Sequence, residues 1–207
     1  MYKKVAETNL VNILEKPDSM SWNTIHEVLW IAHKSNRDKG MVMRLPSLSG
    51  AELESFLKKE GHCFVAMIGD RVVGTCSFKK VRRNSWYAKD QDVAYCVLDA
   101  LLPEYQGSGI YQQLVDYRES FIRKTELRVL EMDTAEHNIA VQKSLFRDGF
   151  RYVGFKAYPY GKHYSVVMVK WLDDNPFSNF YCRLRFFFSK TKIKLRYKPG
   201  RVKRFGL

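Results

Sequence analysis

Leu101-Leu102-Pro103-Glu104-Tyr105-Gln106-Gly107-Ser108-Gly109-Ile110-Tyr111 reads as the end of a strand, a turn and the start of a helix. The preceding apolar run Val93-Ala94-Tyr95-Cys96-Val97-Leu98 is strand-like, Pro103 removes a ladder donor, and Gly107 and Gly109 release the backbone for a tight turn. Beyond Gly109, Ile110, Leu114, Tyr117 and Phe121 recur at helical spacing, which predicts a helix with that stripe inward. The N–H groups of Gly107 to Tyr111 then lack intrahelical partners and sit at the positive end of a helix dipole. Such a terminus suits a diphosphate, and glycine lets it approach with no Cβ in the way. Alone, most Gly-x-Gly turns merely join a strand to a helix.

The flanks predict an alternation of hairpins and crossover helices. Upstream, Cys63 to Ile68, the turn Gly69-Asp70 and Arg71 to Phe78 read as a hairpin; a polar bend at Asn84 to Asp90 leads to a strand over Asp92 to Leu102. Downstream, Leu127 to Asp133 reads as a strand, Asn138 to Arg147 as a helix, and Tyr152 to Ala157 with Tyr164 to Trp171 as a last strand pair around Pro159-Tyr160-Gly161. This order predicts a mixed sheet flanked by helices, with no internal repeat. Before it, Val5 to Leu10 is a candidate first strand. Ser21 caps a helix carrying Trp22, Ile25, Leu29, Ala32 and His33 up to Asn36, and Ser49 or Gly50 opens another that stops at Gly61. His26, Glu27 and His33 on the first helix are catalytic candidates that read more simply as surface or half-buried positions.

The chain has 207 residues, 45% of them hydrophobic, enough to bury a core. No run approaches a membrane span, and no apolar signal core follows Met1-Tyr2-Lys3-Lys4, so the expected address is cytoplasmic. Cys63, Cys76, Cys96 and Cys182 show no Cys-x-x-Cys spacing and read as reduced packing residues; no metal site is expected. Residues 172–207 hold ten Lys/Arg against Asp173 and Asp174, a net +8 of the total +13. That charge attracts polyanions whatever their identity.

The segment Leu101 to Ile110 resembles the acetyl-CoA signature of the GCN5-related N-acetyltransferases (GNAT), Gln/Arg-x-x-Gly-x-Gly/Ala after a strand ending in a Pro-Glu-Tyr type turn. Gln106 and Gly109 match; Tyr111 departs, since the family usually has Gly or Ala there. Asn138-Ile139-Ala140 followed by Leu145-Phe146-Arg147-Asp148-Gly149-Phe150 resembles the family's Asn-x-x-Ala to Leu-Gly-Phe block. The likeness spans roughly Cys63 to Trp171. It implies an α/β GNAT acyl-CoA N-acyltransferase fold over residues 1–171, a mixed, mostly antiparallel sheet flanked by helices; residues 172–207 lie outside the resemblance and are expected, from their own pattern, as a basic C-terminal helical appendage. It also implies acetyl-CoA as acyl donor, held by Leu101, Leu102, Gln106, Gly107, Ser108, Gly109, Ile110, Tyr111 and Asn138.

Acyl transfer to an amine needs a proton acceptor, because freeing a lysine-like amine at pH 7 costs about 4–5 kcal/mol. It also needs a donor for the oxyanion. The resemblance implies a main-chain N–H near Leu101 for the oxyanion, and places the Asn138 side chain on the pantetheine arm; Asn138 also reads as a helix N-cap. Family members often carry a tyrosine acid where this chain has Leu145, and Phe146 beside it has no hydroxyl. The catalytic candidates are Asp99, Tyr160 and Tyr164, with Glu131 behind them. Asp99 stands where the family usually has an apolar residue and reads either as a buried base acting through water or as a strand-end Asp bonded to a backbone amide.

The resemblance puts the acceptor between the Met41 to Leu48 loop and the last hairpin. Arg44, Tyr158, Lys162 and His163 are the candidate acceptor-binding residues, with Lys156 nearby and no acidic residue in either loop. An acceptor with an anion beside its amine, such as an amino-sugar nucleotide, therefore suits them better than a polyamine. After Asn175-Pro176, Phe177, Phe180, Tyr181, Leu184, Phe188, Thr191 and Leu195 fall on one helical face with basic edges, though Lys192 to Tyr197 also alternates as a strand would. This tail suits docking on its own domain, an anionic membrane surface or an acidic protein; nucleic acid ranks last. The rival to an enzyme is a CoA-binding sensor or scaffold of the same fold, or a polyanion binder driven by the tail.

Overall fold

The computed structural model describes residues 10–40, 45–157 and 164–173. Two compact units divide the chain, Met1–Arg128 and Val129–Leu207. In the first, four strands pair antiparallel in the order β1 (Val11–Glu15), β2 (Gly61–Ile68), β3 (Arg71–Ser85) and β4 (Ala88–Leu101). Helices α1 (Trp22–Ala32), α2 (Lys34–Asp38) and α3 (Gly50–Leu57) lie between β1 and β2, and α4 (Ile110–Arg123) follows β4. In the second unit, β5 (Val129–Ala135), β7 (Tyr164–Trp171) and β6 (Arg151–Ala157) pair antiparallel in that spatial order, and α5 (Ile139–Arg147) joins β5 to β6.

Local chemistry sets several boundaries. The Ser21 hydroxyl accepts from the Asn23 N–H at the start of α1, and Ser49 with Glu52 forms a reciprocal capping box on α3. The single helix expected from Ser21 to Asn36 is broken at His33, which leaves helical geometry and separates α1 from α2. The polar bend expected at Asn84 to Asp90 is instead ladder on both sides of a tight Trp86-Tyr87 turn. The polar residues there pair across the two strands: Arg82 meets Asp90 at 3.0 Å, and Lys80 meets Asp92 at 3.2 Å. The strand expected at Val5 to Leu10 lies outside the described residues except for Leu10, which is not in a strand; β1 begins one residue later. The tail helix expected after Asn175 lies wholly outside them.

The core of the first unit is built on Ile25, Leu29, Leu53, Phe64, Phe78, Leu114 and Ile122, each 2% exposed or less. Phe64 packs against Phe121 of α4 at 5.2 Å between ring centroids. The buried stripe of α4 is Ile110, Leu114, Val115, Arg118 and Ile122. The expected stripe is thus rotated: Tyr117 stays 39% exposed, and an arginine enters the core. Cys63, Cys76 and Cys96 are buried, and burial pushes the Cys63 and Cys76 thiols above their ordinary pKa. No described helix is long and apolar enough to cross a membrane.

Candidate functional site

After β4 the chain turns through one 3-10 turn, Pro103–Tyr105. Leu102 donates its N–H to the Val73 carbonyl at 2.9 Å, and the N–H groups of Tyr105, Gln106 and Ser108 close the turn on Leu102, Pro103 and Tyr105. Gly107 and Gly109 have φ of +81° and +86°, the left-handed region that glycine enters at no steric cost. A Cβ at either would meet no atom within 4 Å, so the ground above the turn is open. Ser108 uses its N–H within the turn, and its hydroxyl oxygen takes the Ile110 N–H at 3.4 Å. The expected row of donors therefore narrows to Gly107, Gly109 and Tyr111, whose N–H groups have no acceptor among the described residues. Gln106 to Gly109 are exposed, whereas Leu101, Leu102 and Ile110 are buried and offer a ligand only their main chain.

Just upstream, the ladder slips. Ser77 lies opposite Val97 and Thr75 opposite Ala100, so Leu98 and Asp99 together face Cys76. This β-bulge puts Leu98 at a φ of +56°, which costs about 1–2 kcal/mol for a side chain with a Cβ. Because Leu102 bonds β3 through its N–H and successive strand N–H groups alternate, the Leu101 N–H points away from β3.

The bulge carries Asp99 into a buried network. Arg118, 1% exposed on its side chain, donates from Nη1 to Asp99 Oδ1 at 2.6 Å and to the Ser77 carbonyl at 3.2 Å. The Tyr111 hydroxyl donates to Asp99 Oδ2 at 2.8 Å. Of its two expected readings, the bond to a backbone amide is not the one seen: Asp99 meets two side chains. Burial opposes the Arg118 charge, but the Asp99 carboxylate overcomes this and holds the guanidinium above its ordinary pKa. Burial, reinforced by the neighbouring carboxylate, keeps the Tyr111 hydroxyl protonated. Just after α1, the His33 ring sits near Asp99, and Asn36 Nδ2 lies 3.4 Å from its Nδ1. Burial lowers the His33 pKa, only partly offset by nearby Asp99, so the ring is held toward its neutral form. Arg118 and the inward turn of Tyr111 are the parts of this candidate site that the sequence did not suggest. A basic residue seven positions after Tyr111 and four after Leu114 was the available signal.

In the second unit, Asn138 occupies the N-cap position of α5 at φ −82°, ψ 65°, yet its side chain makes no capping bond. That ψ departs from the extended geometry of a capping residue, so the N-cap expectation fails in its hydrogen bond, and the half-buried amide is not committed to the helix. Tyr164 opens β7 half-buried; its carbonyl accepts from the Glu136 N–H, and its own N–H donates to Glu136 Oε1. Glu131 is buried on β5. Arg44, Tyr158, Tyr160, Lys162 and His163 lie outside the described residues. A cavity of about 520 Å³ that the sequence did not suggest opens between α1 and the β2–β3 turn, with Glu27, Asp70, Arg71 and Leu102 in its wall.

A family model described as "Acetyltransferase (GNAT) family" matches residues 22–150. No curated protein matches the chain. Among solved structures, a probable acetyltransferase from Staphylococcus epidermidis superposes with TM-score 0.62 at 15% identity, covering 79% of this chain and 100% of its own. An N-acetyltransferase from Staphylococcus aureus gives 0.60 at 12% identity, covering 79% and 98%. The ribosomal-protein-S18-alanine N-acetyltransferase of Escherichia coli gives 0.62 at 12% identity, covering 83% and 99%. At these identities the likeness shows a shared fold.

Proposed function

Because the chain belongs to the acetyltransferase (GNAT) family, whose members are acyltransferases, we propose that it moves an acetyl group from acetyl-CoA to a primary amine by direct attack. The observation that carries this reading is the turn after β4: two left-handed glycines, open ground above them and three N–H groups without acceptors at the start of a 14-residue helix. That donor set fits a diphosphate. The uncommitted Asn138 amide suits the pantetheine arm, and the Leu101 N–H, turned from β3, suits the thioester oxygen as negative charge grows on it. In the transfer, the amine nitrogen bonds to the carbonyl carbon, the C–S bond breaks, the amine proton passes to solvent or a base, and the thiolate leaves to be protonated as CoA. Among the described residues, no placed Cys or Ser nucleophile argues for an acyl-enzyme.

The acyltransferase domain on this reading is residues 1–171, with 172–207 as an appendage, working in the cytoplasm on a small-molecule or sugar acceptor. Arg44, Lys162 and His163 bind that acceptor's anion while Tyr158 orients it, and Tyr160 and Tyr164 serve as proton carriers. The appendage contacts its own domain, an anionic membrane surface or an acidic protein. Calorimetric titration with acetyl-CoA, followed by CoA release across a library of amines, tests the assignment: saturable binding and turnover on at least one amine are expected. Binding without turnover on any amine favours a second reading, a CoA-binding sensor or scaffold. Two observations support that rival: both Asp99 oxygens are engaged, and Leu145 and Phe146 stand where a tyrosine acid is usual. No binding overturns both.

A further inference from the structure

We propose that Tyr111 is a positioning residue that couples the diphosphate turn to the oxyanion donor of β4; this rests on the reading of that turn as the CoA site. The main chain of Tyr111 belongs to the turn, where its N–H is one of the three without an acceptor. Its ring runs inward, and its hydroxyl donates to Asp99 Oδ2. Asp99 is the second residue of the bulge and stands two positions before Leu101, the proposed oxyanion donor. One residue thus grips both the place where the diphosphate docks and the strand kink that aims the acyl group's partner.

The rest of the network makes that grip rigid. Arg118 takes the other Asp99 oxygen and the Ser77 carbonyl, so the carboxylate is held toward Tyr111 from its other side. The strain at Leu98 is thereby retained rather than relaxed. The arrangement is a poor choice for stability alone. Arg118 Nε and Ser77 Oγ are buried with no hydrogen-bond partner among the described residues, and apolar replacements of a buried ion pair are often neutral or stabilising. A geometric role accounts for keeping it. The family resemblance expects Gly or Ala at position 111, and neither reaches Asp99, so the link is this chain's own.

In the full-length chain, Tyr111→Phe removes only the hydroxyl. The expected result is a CoA Kd within about twofold of wild type, with kcat lower by about tenfold and little change in KM for acetyl-CoA. The infrared carbonyl band of bound 13C-labelled acetyl-CoA should move back toward its position in water, because the carbonyl is less polarised. A variant that merely loses stability would not move that band. Tyr111→Ala should give the same pattern, with a thermal melt to establish that it is folded. A carbonyl band in Tyr111→Phe identical to wild type, or a loss confined to CoA affinity, would overturn the coupling and leave the donor-site reading standing. A wild-type chain that binds no CoA would overturn both.

Discussion

At the scale of single residues, what decides the site is a buried charge that hydrophobic periodicity could not reveal. The sequence offered Ile110, Leu114, Tyr117 and Phe121 as the inward stripe of α4, and counting apolar residues cannot tell that stripe from one turned to admit Arg118. Only a carboxylate across from it makes the second solution stable, and that carboxylate sits 19 positions earlier, behind a bulge. Arg118→Met should therefore cost up to about 3–5 kcal/mol by leaving Asp99, 11% exposed on its side chain, without its cation. In thermal melts, adding Asp99→Asn should recover part of that loss, whereas additive losses would show that the pair is not coupled. His33 makes a second residue-level prediction. Its pKa is lowered by burial and by Arg37, opposed by Asp99, so the unfolded chain binds the proton more readily than the folded one. Stability then rises with pH through this window and is lost as pH falls below about 6.5, the ordinary histidine value. The urea midpoint of His33→Gln should decline less than that of wild type between about pH 7 and pH 5; equal declines would remove His33 from the linkage.

At the scale of elements, the strand, turn and helix around Gly107 were legible because proline and glycine punctuate the backbone by sterics that need no tertiary context. The hairpin of β2 and β3 and the helix α5 were legible for similar reasons. The bulge was not. Leu98 is an apolar residue in an apolar run, and nothing in its type calls for a left-handed φ; that conformation belongs to the bulge that brings Asp99 to Tyr111 and Arg118. The break at His33 was hidden too, since His33 continues the helical spacing of Trp22, Ile25, Leu29 and Ala32, and nothing in its type calls for it to leave helical geometry. The turn gives the element-scale prediction. Gly109→Ala places a Cβ at φ +86°, costing about 1–2 kcal/mol, and pushes a methyl into the open ground above the N–H groups. The CoA Kd should rise about tenfold or more, since both the donors and the approach are disturbed. An unchanged Kd in isothermal titration would remove the diphosphate from this turn.

At the scale of the whole molecule, charge is the property that residue-by-residue reading handles least well, because a net +13 belongs to the chain while recognition belongs to a few loops. Most of the excess lies in residues 172–207, and it bears on polyanions in general rather than on the acceptor. On the proposed reading the acceptor meets Arg44, Lys156, Lys162 and His163, carried by two segments with no acidic residue of their own between Met41 and Leu48 or between Lys156 and Tyr164. A polyamine bound there would find no countercharge, whereas an amine with a neighbouring phosphate or carboxylate would gain charge-assisted hydrogen bonds. The carboxylates of Glu27 and Asp70 face a different cavity, beside the β2–β3 turn, and supply the opposite preference should the acceptor enter there. Side-by-side rates on spermidine and on an amino-sugar nucleotide separate the two. The expected outcome is faster transfer to the nucleotide, with Arg44→Ala and Lys162→Ala each raising its KM by about five- to tenfold while leaving CoA affinity unchanged. Preference for spermidine, reduced by Glu27→Gln and Asp70→Asn, would move the acceptor to the cavity at α1 and leave the donor turn where it is.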